Sequence, residues 1–355
     1  MRIAILGSVV LPVPPPKQGG TEWIAYHQAK GLSELGHKVI LFAPSGSQKS
    51  DSYELIEVGK GSIDTDASNA ATFLSYTESS RKLRIENVNL ALVMEKLTER
   101  KDDFDLILNN MRGEAVFLPF ANAQGKPFVN VMHLPLFAEL AEIFKSYNTP
   151  LITISEAQRK GFFGLNFLAT IGNCVDTDKF LFNSSPQDYL LMMGTIGRHK
   201  NQGAAIRVAK NLGMRLILAG KIRDQDYYRE LQKDIDGESI KWVGELGFEE
   251  KLKLYQNAKA LLFPVLWEEP FGLVMIEAMA CGTPVVAYKN GAIPEVIVDR
   301  KTGFVIKSNT EEEMIEAVKK IDMIKREDCR KHVLENFTVE KMVKNYEAAL
   351  KKILL

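Results

Sequence analysis

Cysteine is scarce in this chain: three residues (Cys174, Cys281, Cys329) among 355. They form no C-x-x-C spacing and are odd in number, which argues against a disulfide scaffold or a zinc site and fits a reducing cytoplasm. An excess of one charge sign is also missing. The 45 Lys+Arg balance 45 Asp+Glu, against a nucleic-acid partner held through phosphates. No apolar run reaches the roughly 18–20 residues of a membrane span. The opening MRIAILGSVV reads straight into a strand rather than a signal peptide. Two nucleotide signatures are absent as well: neither G-x-G-x-x-G nor G-x-x-x-x-G-K-[ST] occurs, so a dinucleotide Rossmann domain and a P-loop NTPase are both disfavoured.

What is present is an alternation of short apolar runs and helical patterns, long enough for two domains. Strands are expected at Arg2–Leu6, Lys38–Ala43, Asp105–Leu108, Phe128–Val131 and Leu151–Ile154. A second series begins at Tyr189–Met193 and continues through Arg215–Ala219, Ile240–Val243, Ala260–Phe263 and Pro284–Ala287. Strands alternating with helices of about 10–15 residues imply parallel sheets covered on both faces. The expected fold is therefore α/β, with two doubly wound, Rossmann-like domains facing across a cleft. The Ser/Pro-rich segment FNSSPQ at 182–187 is the linker candidate, giving domains 1–181 and 182–337. Residues Leu83–Lys101 read as a long surface helix with Leu90, Val93, Met94 and Leu97 on its apolar face. The closing helix, Val339–Ile353, has its own apolar stripe and Thr338 as its N-cap.

The segment Trp267–Ala287, WEEPFGLVMIEAMACGTPVVA, carries the most chemistry. From Phe271 to Cys281 a helix is expected that is apolar nearly all round except for Glu277. A buried carboxylate needs donors, and ribose hydroxyls are a natural answer; its partner is expected to be a ligand rather than the protein. Eight residues earlier Glu269 lies in a loop beyond a strand, at the carboxyl edge where open α/β sheets bind ligands. Backbone donors at Phe271, Gly272 and Leu273 would meet a phosphate there. Near the start of the chain, Gly19 and Gly20 open a helix after a proline-rich loop and could admit an anion in the same way.

The run EPFGLVMIEAMACGTPVVA resembles the E-x7-E signature of the family-4 retaining glycosyltransferases, which have the GT-B fold. Gly19-Gly20-Thr21-Glu22, His133 in VNVMHLP, Ser155 in ITISEAQ and IGNCVDTDKF at 171–180 stand in family-like places and order. The resemblance implies that Glu277 holds the nucleotide ribose and Glu269 the hydroxyls of the donor sugar. Gly244 would border the base site. His133, at the end of a strand, would hydrogen-bond the donor sugar or the developing charge. Lys200 matches the family's diphosphate lysine, but Thr195 stands where the family has an arginine, and Arg198 is the nearby substitute. His133, Lys200 and Glu269 are thus the catalytic candidates. The last helix is implied to cross back onto the first domain.

The expected activity is metal-independent transfer of a sugar, with retention, from a nucleotide-diphosphate donor (a UDP-sugar as first guess). No cofactor is expected. The literal D-x-D matches Asp64-Thr65-Asp66 and Asp176-Thr177-Asp178 stand in contexts that do not suggest a metal site. A sugar-nucleotide epimerase and a non-catalytic nucleotide-sugar-binding protein remain as alternatives. Residues 1–180 hold 18 Lys+Arg against 20 Asp+Glu. A soluble acceptor is mildly favoured on that balance, since anionic lipid calls for a basic patch; a peripheral membrane contact stays open.

Overall fold

A computed structural model describes residues 1–17, 19–59 and 74–354. The chain divides into two compact units: Met1–Thr153, Gly161–Ile171 and Val343–Leu355 form the first, and Ile154–Lys160 with Gly172–Met342 form the second. Asp64-Thr65-Asp66 lies outside the described residues.

The first unit is built on strands Arg2–Leu6 (β1), Lys38–Ala43 (β2), Glu54–Glu57 (β3), Leu106–Asn109 (β4), Phe128–Met132 (β5), Leu151–Thr153 (β6) and Phe167–Thr170 (β7). They form one parallel sheet in the order β3-β2-β1-β4-β5-β6-β7. Its helices are Gly20–Glu34 (α1), Leu74–Glu99 (α2), Glu114–Gln124 (α3) and Ala138–Ser146 (α4). The central strands are buried end to end, as their unbroken apolar runs require in a sheet covered on both faces. The expected stripe of α2 is the buried one: Leu90, Val93 and Leu97 join the core, with Met94 packed against it.

The second unit has strands Tyr189–Met193 (β8), Arg215–Ala219 (β9), Ile240–Trp242 (β10), Ala260–Phe263 (β11), Val285–Tyr288 (β12) and Gly303–Ile306 (β13). They are parallel, in the order β10-β9-β8-β11-β12-β13. Helices Gln202–Leu212 (α5), Gln225–Gln232 (α6), Phe248–Asn257 (α7), Leu273–Ala280 (α8), Ile293–Val296 (α9), Glu311–Lys319 (α10) and Arg326–Asn336 (α11) belong to it. The last helix, Val339–Lys351 (α12), is divided between the units, and Thr338 Oγ1 accepts the Lys341 N–H at 3.2 Å as its cap. Within the first unit Val343 sits so close over Gly31 that a Cβ there would stand 2.4 Å from its Cγ2. His37 Nε2 lies 2.8 Å from Glu347 Oε1.

Two features depart from expectation. Strands β3, β7 and β13 were not anticipated; each is an edge strand, where a short run needs little alternation to pair on one side. The break between units falls at Ile171/Gly172, earlier than 181/182. Residues 175–180 are tied into the second unit by hydrogen bonds. The Val175 N–H donates to Phe337 O, and the Arg330 guanidinium on α11 donates to Thr177 O and Phe180 O at 2.9 and 2.6 Å. Residues 154–160 belong there too, where the Glu295 carboxylate accepts the Glu156 and Ala157 N–H groups at 2.8 and 2.7 Å. Among the described residues no helix is long and apolar enough to cross a membrane.

Candidate active site in the second unit

Parallel strands deliver their loops to one edge, and in this unit the loops after β8, β9 and β10 open on glycines or reach one directly. Gly194 follows β8, Gly220 follows β9, and Gly244 lies just beyond β10. The Gly220 N–H donates to Gly244 O at 2.7 Å, and a Cβ on Gly220 would lie 2.0 Å from Gly194 O. Only glycine lets these loop backbones touch. Gly244 itself adopts φ +78°, and the Trp242 indole N–H is committed to Gly220 O at 3.0 Å.

The loop from β11 to α8 carries the E-x7-E run. The helix is shorter than expected, Leu273–Ala280. Gly272, at φ +89°, is its N-cap, so the helix begins after Phe271. The Phe271 ring turns inward against Phe337, 5.8 Å between centroids, and any ligand contact there falls to the backbone. Glu269 is 7% exposed. Its Oε2 accepts from Lys200 Nζ and from Trp267 Nε1, both at 2.9 Å. The Lys200 ammonium rests over the Trp267 and Phe263 rings at 4.9 and 5.4 Å. Among the described residues Glu269 Oε1 takes no hydrogen bond. A desolvated, paired carboxylate with one open oxygen can accept sugar hydroxyls. Gly291 backs this loop so tightly that a Cβ would stand 2.3 Å from Glu269 O.

Glu277 departs from expectation. Its side chain is 16% exposed, and the protein supplies its partners: Lys251 Nζ to Oε1 at 2.8 Å and Tyr255 OH to Oε2 at 2.7 Å, both from α7. The apolar helix therefore does not carry an unanswered charge. A carboxylate offers about four acceptor positions, so two remain for ribose hydroxyls. Burial, then the adjacent Glu277 charge, push the Tyr255 hydroxyl well above the usual tyrosine range, and it stays a donor.

Arg198 turns away from this cluster. At 57% exposed it pairs with Glu230 on α6, Nη1 to Oε2 at 3.1 Å, and lies 5.2 Å over the Tyr227 ring. The structure thus brings together Lys200, Glu269, Gly272 and Leu273 at the mouth of α8, with Glu277 one strip further in, and leaves Arg198 outside. Asp176 pairs with Lys179 at 3.5 Å.

The remaining candidates lie in the first unit. Gly19 precedes α1 and accepts the Trp23 N–H at 3.2 Å; Gly20 is the first helical residue. Glu22 in the same turn accepts from Ser8 Oγ at 2.8 Å, and burial raises its pKa. His133 follows β5. Its Nε2 lies 2.9 Å from Asn110 Oδ1, whose amide donates to Gln28 Oε1 at 2.7 Å. An amide oxygen only accepts, so Nε2 carries the hydrogen and Nδ1 the lone pair. Burial lowers the pKa to about 4, and the ring is neutral at pH 7. It can exchange hydrogen bonds with a sugar, but it offers no cation to a developing charge. Of the other histidines, His27 is buried beside Trp23, 5.8 Å between centroids, and His332 Nε2 donates to Val296 O at 3.0 Å.

Residues 176–335 match the family model described as Glycosyl transferases group 1. That stretch holds Lys200, Glu269 and Glu277. The chain is 29% identical over 189 residues to a probable sucrose-phosphate synthase of Thermosipho melanesiensis, covering 50% of this chain and 44% of that protein. It is 24% identical over 328 residues to a phosphatidyl-myo-inositol mannosyltransferase of Mycolicibacterium smegmatis, covering 85% and 80%. The chain spans less than half the length of the sucrose-phosphate synthase and of a Mycobacterium tuberculosis glycogen synthase, 44% and 36%. Among solved structures it resembles AviGT4, a glycosyltransferase involved in avilamycin A biosynthesis, with TM-score 0.75 at 22% identity, covering 99% of this chain and 97% of that one. It also resembles Anabaena HepE in complex with UDP and glucose, with TM-score 0.74 at 19% identity, covering 99% and 100%. These likenesses show the GT-B fold.

Proposed function

We propose that the protein is a retaining, metal-independent glycosyltransferase that moves a sugar from a nucleotide-diphosphate donor to an acceptor hydroxyl. One observation carries the reading. Two carboxylates eight residues apart, at the mouth and in the body of one short helix, are each paired with a lysine and each keep acceptor capacity. Glu277 then takes the ribose hydroxyls and Glu269 Oε1 a hydroxyl of the transferred sugar. The diphosphate lies between them, at the amino-terminal end of α8, where backbone donors and the helix dipole favour an anion. As the bond from the anomeric carbon to the phosphate oxygen breaks, charge grows on the leaving diphosphate. Lys200, already beside Glu269, is the cation closest to that charge. The acceptor oxygen attacks the same face, and its proton passes to the leaving phosphate.

The HepE complex with UDP and glucose supports a uracil donor as first choice. The matched family stretch favours transfer over epimerisation or simple binding. A soluble acceptor fits the charge balance of residues 1–180. The test is incubation with a panel of nucleotide sugars, with and without simple sugar acceptors, followed by proton NMR. One donor should release its nucleoside diphosphate and give a product of unchanged anomeric configuration. An epimerised donor, or saturable binding with no bond broken, would replace this reading by one of its two rivals.

A further inference from the structure

We infer that Lys251 and Tyr255 are positioning residues that aim the Glu277 carboxylate at the donor ribose and fix how strongly a ribose is preferred; this rests on the donor reading above. The two residues stand four apart on α7 and so share one face of it. Each takes a different oxygen of the same carboxylate, Lys251 at 2.8 Å and Tyr255 at 2.7 Å. A carboxylate bound at both oxygens by donors from one helix has lost rotation about its last bond, and its remaining lone pairs keep one direction.

The clamp is itself held. The Lys251 ammonium lies over the Phe180 and Phe248 rings at 5.3 and 6.0 Å, and those rings meet edge to face at 5.3 Å. Tyr255 is fully buried, with its ring 6.3 Å from Phe180. Its hydroxyl has a proton to give and one acceptor to give it to. Lys251 adds a second effect: it cancels the Glu277 charge, which would otherwise repel an incoming diphosphate. Neither residue belongs to the E-x7-E run. The ribose preference is thus set from a neighbouring helix.

The rival reading is that the clamp only fastens α7 to α8, and ribose discrimination separates the two. Calorimetry would measure UDP, ADP and GDP, each beside its 2′-deoxy counterpart, on the wild type, Tyr255→Phe, Lys251→Met and Lys251→Arg, with melting curves to confirm folding. Tyr255→Phe keeps the ring and its packing and removes one hydroxyl. The wild type should prefer the ribose form about tenfold or more, the scale of a hydrogen bond to a charged group. Tyr255→Phe should bring that preference to within about threefold by weakening the ribose form alone. Lys251→Met, which also uncovers the Glu277 charge, should weaken both forms but the ribose form more, narrowing the preference to a similar extent. Lys251→Arg should restore part of it. Equal weakening of both forms, or an unchanged preference, would overturn the inference. A wild type that binds a diphosphate without preferring ribose would also overturn it and leave the donor reading standing. A wild type that binds none of the probes would end both.

Discussion

At the scale of single residues, the two basic side chains of the 198–200 turn have opposite fates. Lys200 sits against a buried carboxylate and two rings, while Arg198 is spent on Glu230 at the surface. Lys200→Ala should therefore lower turnover about 100-fold or more, the loss typical of one transition-state charge stabiliser. Arg198→Ala should stay within about threefold of the wild type. Steady-state rates on the productive donor check both, and a crippled Arg198→Ala would show that the guanidinium leaves Glu230 for the diphosphate. His133 makes a pH prediction. Its pKa falls from 6.5 unfolded to about 4 folded, so between those values the unfolded chain binds the extra proton. Its contribution to stability is complete above pH 6.5 and is lost as pH falls toward 4. Urea titrations at pH 4.5 and 7 should show a smaller difference for His133→Gln than for the wild type. An equal difference would place the imidazole in water.

At the scale of elements, α8 works because its neighbours hold both ends. Its carboxyl end is answered by α11: Arg330 donates to Ala280 O at 2.9 Å and Arg326 to Cys281 O at 3.3 Å. Arg326 also reaches Asn183 O, Ala258 O, Gln256 O and the Thr283 hydroxyl, a buried guanidinium satisfied by four carbonyls and one hydroxyl. Arg326→Met would strand those acceptors, and with an unmet buried partner costing about 1–3 kcal/mol the second unit should lose roughly 3 kcal/mol. Chemical denaturation checks this, and a loss under about 1 kcal/mol would mean that water takes over the carbonyls. The same elements mark what the sequence could reveal. The E-x7-E run is local, so its loop, helix and two acids were legible in one stretch of chain. The partners of those acids were not. Lys251 and Tyr255 precede Glu277 by more than twenty residues on another helix, and only the packing of α7 on α8 joins them. A mostly apolar helix with one acid looks the same whether a ligand or a lysine answers it. Phe271 likewise read as the first residue of the helix and a donor-site residue, although it lies before the helix and its ring belongs to the core.

At the scale of the whole molecule, two parallel sheets were foreseeable from the repeated alternation of runs. Three edge strands and the place of the break were not, because edges carry weak patterns and the break depends on Arg330 reaching back to Thr177 and Phe180. The closing helix gives a prediction at this scale. Val343 over Gly31 and Glu347 beside His37 belong to the first unit, so deleting residues 338–355 should speed hydrogen exchange in α1 and β2, and unchanged protection there would contradict the packing. The central claim is a division of labour within the second unit, with Glu277 on the nucleotide and Glu269 on the sugar. Calorimetry of the free nucleoside diphosphate, run beside turnover of the full donor on Glu277→Gln and Glu269→Ala, tests it most directly. The account predicts that Glu277→Gln loses affinity for the diphosphate by about tenfold or more, while Glu269→Ala keeps that affinity and loses turnover. Equal effects of the two substitutions on both measurements would contradict it.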